Sequence, residues 1–355
     1  MTKQHVGIIY GGKSSEHEVS LRTATAIINA IDGSKYEVHP IYVDLQGQWF
    51  MGEPVGKIEA VNQLRLNQAA ELTSPFLLHD QLDVVFPVIH GPNGEDGTLQ
   101  GLLQLADIPY VGSGVMGSAV GMDKVQAKVV FDYYGLPQGK FLSFTRKQWK
   151  QDQASIVQQL EQMFPYPMFV KPANLGSSVG ISKAKSQEEL IEAIHFAARF
   201  DFKIIVEEFI RGREVEIGVL GNDELITSVV GEIVSANDFY DYDAKYKDNS
   251  TKLHIPASIP QHVADEMAVL AKRAFKALDL SGLTRVDFFW DEEQDQLYIN
   301  EVNTLPGFTP VSMYPMLFQK AGLSYSELIE RLLQLALEKA EERRQNQVMI
   351  IELDN

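Results

Sequence analysis

The chain has 355 residues, 45% of them hydrophobic, a length that predicts two or three domains with well-packed cores. It carries no cysteine, which excludes disulfides, thiolate chemistry and a cysteine-ligated zinc site. A formal net charge of -17 argues against general nucleic-acid binding, which needs a basic footprint, and leaves any anionic substrate to be met by local basic residues.

No stretch of about 18 apolar residues occurs. The opening MTKQHVGIIYGG has only a short apolar run, so a soluble, cytoplasmic protein without membrane contact is expected. Residues 6–10 have the pattern of a buried strand, Gly11 and Gly12 that of a turn, and 20–31 that of a helix, which opens an α/β domain. The turn places Glu16 and Glu18 at the carboxyl end of the first strand, where open parallel sheets bind ligands. Each also fits a first-turn acid favoured by the helix dipole. Residues 46–78 are lower in pattern and read as a local elaboration. A second strand at 82–89 ends in HGPNGEDGTLQG at 90–101, a tight glycine-rich loop leading into a helix at 98–106. His90 and Glu95 suit substrate orientation there, or else a satisfied structural histidine and an N-terminal helix acid. GSGVMG at 112–117 is a literal G-x-G-x-x-G, but it lies late in the domain and no strand ending in an acidic ribose ligand follows about 20 residues on.

A helix at 122–134 is broken by Gly135 and Pro137, the expected crossing into a second domain. A strand at 166–171 then leads through PANLGSSVG to a strand at 181–184, a loop without the Gly-Lys-Ser/Thr ending of a Walker A motif but able to fold its N–H groups over phosphates. Ser186 and Glu189 form a capping box for the helix that follows. Lys124 and Lys171 are candidate phosphate lysines, each also compatible with a solvated surface position. Strands at 204–210, 214–221 and 225–234 bring Glu207, Glu208 and Glu214 together, where acceptors suit an adenine amino group or ribose hydroxyls. The polar, aromatic-containing loop at 237–252 is long enough to predict a lid. A helix at 264–278 follows, then a surface helix at 325–343 and a tail.

The segment 285–315, RVDFFWDEEQDQLYINEVNTLPGFTPVSMYP, holds two apolar-rich runs separated by a polar stretch, the pattern of an antiparallel hairpin. Pairing Trp290 with Tyr298 sets Asp287 opposite Glu301 and Arg285 opposite Asn303. Period-2 alternation then gathers Arg285, Asp287, Glu301 and Asn303 on one face and gives Val286, Phe288, Tyr298 and Val302 to the other. Two carboxylates and an amide oxygen within cross-strand reach suit Mg²⁺. A solvated Arg285–Asp287 pair on an exposed sheet face is the plainer alternative. The Pro/Gly-containing loop TLPGFTP at 304–310 adds exposed backbone N–H groups. A metal face, a fixed guanidinium and free backbone donors in one place point to phosphate and oxyanion chemistry.

Five ordered motifs, GGKSSEHEVS at 11–20, HGPNGEDGTLQG at 90–101, Lys171 with LGSSVG at 175–180, YDYDAKY at 240–246, and RVD at 285–287 with NEVNTLPG at 300–307, closely resemble those of the D-alanine:D-alanine ligases of the ATP-grasp superfamily. The resemblance runs from Val6 to about Glu342. It implies an α/β, α+β multi-domain architecture: a Rossmann-like N-terminal substrate domain at 1–122, then an ATP-grasp fold of two α+β domains at 123–213 and 214–345, and a tail at 346–355. It implies that ATP phosphorylates one D-alanine and that the amine of a second attacks the acyl phosphate, giving D-alanyl-D-alanine for peptidoglycan precursors. Asp287, Glu301 and Asn303 would hold two Mg²⁺, with Mn²⁺ as a substitute. Lys124, Lys171 and Lys245 would contact ATP, with Glu207 and Glu214 around adenine and ribose. Glu16 would take the first ammonium group, linked through Ser177 to Tyr246 in the lid, with His90 nearby. Arg285 and the Gly307 N–H would stabilise the tetrahedral oxyanion, and Ser312 would bind the second carboxylate. The resemblance also implies a homodimer. D-Lactate as second substrate is the rival within the enzyme class, disfavoured by Tyr246. A nicotinamide dehydrogenase built on 112–117 leaves the acidic hairpin unexplained, and a noncatalytic nucleotide-binding protein leaves the metal set unexplained.

Overall fold

The computed structural model describes residues 3–14, 16–65, 71–234 and 252–346. Lys245, Tyr246, nearly all of the expected lid and most of the tail lie outside them. Three sheets organise the described chain. The first contains β1 (Gln4–Gly11), β2 (Tyr36–Val43), β3 (Trp49–Met51), β4 (Glu71–Leu72) and β5 (Val84–Pro87) in the order β4-β3-β2-β1-β5. β1 is parallel to both neighbours and buried from Val6 onward, as a strand covered on both faces must be. Helix α1 (His17–Ala30) packs on β1, and α2 (Thr98–Leu105) and α3 (Val115–Met122) follow β5.

β2 is hard to recognise in the sequence because Pro40 lies inside it, and proline normally argues against a central strand. The Pro40 carbonyl accepts from the Gly52 N–H at 2.9 Å, so its missing donor falls on the side where β3 has already ended. The 46–78 elaboration supplies β3 and β4, an antiparallel extension of an otherwise parallel sheet.

Helix α4 (Lys124–Tyr133), capped by Asp123 through the Val125 and Gln126 N–H groups, leads to the second sheet. Its strands β6 (Phe141–Thr145), β7 (Met168–Pro172), β8 (Ser182–Ala184) and β9 (Lys203–Glu208) run in the order β6-β9-β7-β8, all antiparallel. α5 (Arg146–Gln151), α6 (Gln153–Met163) and α7 (Gln187–Ala197) accompany it, with Trp149, Leu160, Leu190 and Val206 in their shared core.

The third sheet has the order β12-β11-β10-β13-β14. It is built from β10 (Arg213–Gly221), β11 (Ile226–Val234), β12 (Lys252–His254), β13 (Gly282–Asp291) and β14 (Gln296–Asn303). α8 (Gln261–Ala277) covers one face through Met267, Ala271 and Phe275 against Val286 and Phe288. α9 (Met313–Lys320) and α10 (Tyr325–Arg344) end the described chain. α10 exposes the charged face that its sequence predicts for a surface helix, and its apolar stripe is buried against more than one sheet. Leu328, Leu332 and Leu333 are fully buried in one core with Ile8 and Phe86 of the first sheet and Leu220 and Leu283 of the third, so the helix braces the two sheets. No described helix is long and apolar enough to cross a membrane.

In the β13–β14 hairpin Asp287 pairs with Glu301 and Arg285 with Asn303, as the sequence pattern predicts. Beyond Asp287 the register shifts by one: Phe288 faces Ile299, and Trp290 faces Leu297, not Tyr298. Asn300 is the extra residue of a β-bulge. The bulge resets the alternation, so Leu297 and Ile299 enter the core with Phe288 and Trp290 while Tyr298 stays half-buried on the other face. The hairpin turns through Asp295 at φ +51, with Asp291 accepting from the Glu293 and Gln294 N–H groups at 3.0 and 3.1 Å.

Candidate active site

The polar face of the hairpin is built on strands, so its side chains are fixed by register. Arg285 donates two hydrogen bonds to Asp287, both at 2.7 Å, and pairs with Glu216 at 2.9 Å. β10 lies beside β13 with Glu216 opposite Asp287, which is how the second carboxylate reaches the guanidinium. Burial opposes the charged guanidinium, but Asp287 and Glu216 outweigh it and raise the Arg285 pKa, so its charge is permanent. The Asn303 amide donates to Asp287 at 2.9 Å. Two carboxylates directly opposed and an amide beside them are the hard oxygen donors that Mg²⁺ takes, and Asp287 is buried enough to need a cationic partner.

Next to this face lies a cleft of ≈ 270 Å³ between the second and third sheets. Glu207 on β9 accepts an ion pair from Lys171 on β7 at 2.5 Å and one from Lys128 on α4 at 3.3 Å, all three side chains being buried. Burial raises a carboxyl's pKa, but the two ammonium groups overcome it and hold Glu207 at about 2. Burial lowers the Lys128 pKa despite Glu207, whereas Glu207 and Glu301 raise that of Lys171 against its burial. Glu207 Oε1 faces the Lys128 ammonium at 3.3 Å, so both carboxylate oxygens are met by lysines at the wall of the cleft. Lys171 also donates to the bulge residue Asn300 at 3.4 Å. Lys124, one turn before Lys128, pairs with Glu301 at 3.2 Å and donates to the Leu175 carbonyl at 2.9 Å. Glu208 and Glu214 line the same cleft.

The loop between β7 and β8 carries Ser177 and Ser178 at φ +54 and +56, a left-handed conformation rare for residues with a Cβ. Ser177 donates to Glu16 at 2.5 Å, joining this loop to the one after β1. Glu18 lies apart, paired with Arg65. His90 is buried, its Nε2 3.3 Å from the Thr23 hydroxyl and its Nδ1 4.0 Å from Glu95. Burial opposes a charged His90, but Glu95 and Glu16 outweigh it and raise its pKa. Ser312 caps α9 by position only: its hydroxyl accepts from the Thr309 N–H at 3.1 Å, and a Cβ at Gly307 would lie 3.2 Å from it. Gly307 and Ser312 are therefore neighbours.

The G-x-G-x-x-G segment is used for packing. A Cβ at Gly117 would lie 2.5 Å from the Asp279 carbonyl oxygen, and Ser113 and Ser281 bond across the same contact at 3.3 Å. Its glycines let α3 approach the third sheet.

Comparison with known proteins finds relatives over nearly the whole chain. The family model described as D-ala D-ala ligase N-terminus matches residues 5–113, and the one described as D-ala D-ala ligase C-terminus matches 130–334. The chain belongs to the D-alanine–D-alanine ligase family. A relative named D-alanine–D-alanine ligase from Geobacillus thermodenitrificans is 52% identical, covering 96% of this chain and 98% of that protein. One of the same name from Natranaerobius thermophilus is 47% identical, covering 98% of each. Among solved structures, VanG D-Ala:D-Ser ligase from Enterococcus faecalis is similar at a TM-score of 0.85 and 36% identity, over 94% of this chain and 100% of that one. The D-alanine-D-alanine ligase from Coxiella burnetii is similar at a TM-score of 0.81 and 31% identity, over 97% of each chain. The three sheets are thus those of an ATP-grasp ligase with a Rossmann-like first sheet.

Of the site residues that the family resemblance implies, the structure gathers Lys124, Lys171, Glu207, Glu214, Arg285, Asp287, Glu301 and Asn303 along one cleft and its hairpin face. It joins Glu16 to Ser177 and sets Gly307 beside Ser312. Two residues escaped the sequence. Lys128 lies four residues after Lys124 on the same helix face, and Glu216 two residues after Glu214 on the same strand face. Those spacings were the available signal.

Proposed function

We propose that the protein joins two D-alanine molecules to D-alanyl-D-alanine through an acyl phosphate at the expense of ATP, supplying peptidoglycan precursors in the cytoplasm. The observation that carries this is the meeting of the β13–β14 oxygen face with a buried lysine pair in one cleft, since phosphoryl transfer needs fixed cations and a metal site together. In this reading ATP enters between the second and third sheets. Lys124 and Lys171 meet its phosphates, and Glu207 and Glu214 meet adenine and ribose. Asp287, Glu301 and Asn303 would hold two Mg²⁺, or Mn²⁺ in its place. When bound, the metal offsets phosphate charge.

Glu16 holds the ammonium group of the first D-alanine, with His90 close by, and Ser177 ties the β7–β8 loop to that position. A carboxylate oxygen of this D-alanine takes the γ-phosphoryl group as the bond to the β-phosphate oxygen breaks and ADP leaves. Ser312 orients the carboxylate of the second D-alanine. Its free amine attacks the acyl carbon, the ammonium proton passes to solvent, and inorganic phosphate departs as the C–N bond forms. Arg285 and the Gly307 N–H stabilise the tetrahedral oxyanion. The roles of Lys245 and Tyr246 at ATP and in the lid rest on the resemblance alone, as do the homodimer and the domain limits at 122 and 213.

Mixing the protein with ATP, Mg²⁺ and D-alanine should release one phosphate per dipeptide. Phosphate release that does not depend on D-alanine, or none at all, overturns the proposal. Equal D-alanine and D-lactate across neutral pH should give dipeptide in excess, and a predominance of ester would reassign the second substrate.

A further inference from the structure

Far from the cleft, at the amino-terminal ends of β1 and β2, three side chains converge that the ligase chemistry does not use. His5 pairs with Glu37 in the parallel register, and His39 follows two residues along β2. Period-2 alternation puts all three on one face of the sheet. His5 Nδ1 is 3.1 Å from His39 Nε2 and 3.4 Å from Glu37 Oε1, and His39 Nε2 is 3.5 Å from the same carboxylate oxygen. Among the described residues this is the one group of three histidines or carboxylates whose ligand atoms approach so closely.

The triangle has the dimensions of a coordination face. Four ligands tetrahedrally disposed at 2.0–2.1 Å from Zn²⁺ stand about 3.3–3.4 Å apart, and the three observed edges of 3.1, 3.4 and 3.5 Å bracket that value. A hydrogen-bonded pair of imidazoles needs only one short contact, and nothing in it requires the carboxylate oxygen to lie equally near both rings. The positions are also preorganised. All three residues sit on strands, and the His5 N–H donates to Asp83 at 2.7 Å while the Asp83 N–H donates to the His5 carbonyl at 2.9 Å. His39 is 11% exposed, but the His5 and Glu37 side chains are 45% and 40% exposed, so an ion has an entry path and water can complete its shell.

We propose that His5, Glu37 and His39 form a binding site for a first-row divalent transition metal, with Zn²⁺ the ion that fits, clamping β1 to β2 at the sheet end remote from the active site. Two imidazole nitrogens and one carboxylate with a water in the fourth position are an established donor set for Zn²⁺, whereas Mg²⁺ prefers oxygen alone. The ion takes the place of the hydrogen shared between His5 Nδ1 and His39 Nε2. The ring that carried it changes tautomer, that proton leaving to water as water protonates the ring's other nitrogen, so both ligands stay neutral imidazoles.

The test is titration of the full-length, chelator-stripped protein with Zn²⁺ in millimolar Mg²⁺, by calorimetry, with Co²⁺ absorbance reporting coordination geometry. The parent should bind one Zn²⁺ equivalent that Mg²⁺ does not displace, give the intense visible bands of tetrahedral Co²⁺, and unfold at a higher temperature with Zn²⁺ than without. His39→Ala should lose that equivalent. His5→Gln and Glu37→Gln, at exposed positions that leave the core intact, should weaken it by about tenfold or more. They decide the matter if His39→Ala does not fold. Zn²⁺ binding of equal stoichiometry and affinity in the parent and the two Gln variants, or no Zn²⁺ binding by the parent, overturns the proposal.

Discussion

Arg285 shows how a single charge is made into a fixed device. Two carboxylates, Asp287 and Glu216, hold the guanidinium in place before any substrate arrives. A preorganised oxyanion donor is worth about 10² to 10³ in rate. Arg285→Met should therefore lose that much in kcat while its Kd for ATP stays within about twofold, measured on protein whose circular dichroism matches the parent. Lost ATP affinity at an unchanged kcat would make Arg285 a ground-state phosphate ligand instead. Glu207 makes a prediction about acid. Two lysines hold its carboxyl at about 2 against burial, below the ordinary 4.5. A carboxyl depressed on folding contributes stability that is complete above its unfolded pKa and is lost as pH falls through the folded one. The parent's unfolding temperature should drop steeply from about pH 4.5 to about pH 2, and Glu207→Gln, although less stable at neutrality, should show a shallower drop. Parallel curves would remove Glu207 from the acid response.

Among the elements, the β13–β14 hairpin has two jobs that the bulge at Asn300 reconciles. Its core face needs Phe288, Trp290, Leu297 and Ile299 together, and its polar face needs Asp287 opposite Glu301. A regular ladder meets the second demand and fails the first by turning Tyr298 inward. Deleting Asn300 leaves a regular ladder in which every remaining residue keeps its face, so the unfolding temperature should change little. The Lys171 contact disappears, and a displacement of about 1 Å at reacting groups costs about 10² in rate. Calorimetric scans and kcat on the deletion variant test this. A variant that does not fold would show that the bulge serves packing rather than the site.

For the whole molecule, α10 is what makes the first and third sheets one body. Its Leu332 has no exposed surface and sits in the core that both sheets share. Leu332→Ala should cost about 2–5 kcal/mol. Hydrogen exchange should accelerate in β1 and in β13 together. Acceleration confined to one sheet would show that the helix belongs to that sheet alone.

The pairing of Asp287 with Glu301 was legible because strand periodicity is exact and local, and the glycine-rich loops because their composition signals strand ends. The five motifs carried the family, and with it the fold. What the sequence by itself could not decide was whatever depends on a partner far along the chain. Pro40 hid β2 because tolerance of a missing N–H depends on where β3 stops. Alternation alone turns Tyr298 inward, because a bulge is recognised only once both faces of the hairpin have neighbours. The sequence of α10 marks a surface helix but not what its apolar stripe covers, since a helix that packs against two sheets presents the same stripe as one that packs on a single sheet. Lys128 gained its role only when the second sheet brought Glu207 against it, because a buried lysine is stable only beside a carboxylate, and which carboxylate is a matter of tertiary structure.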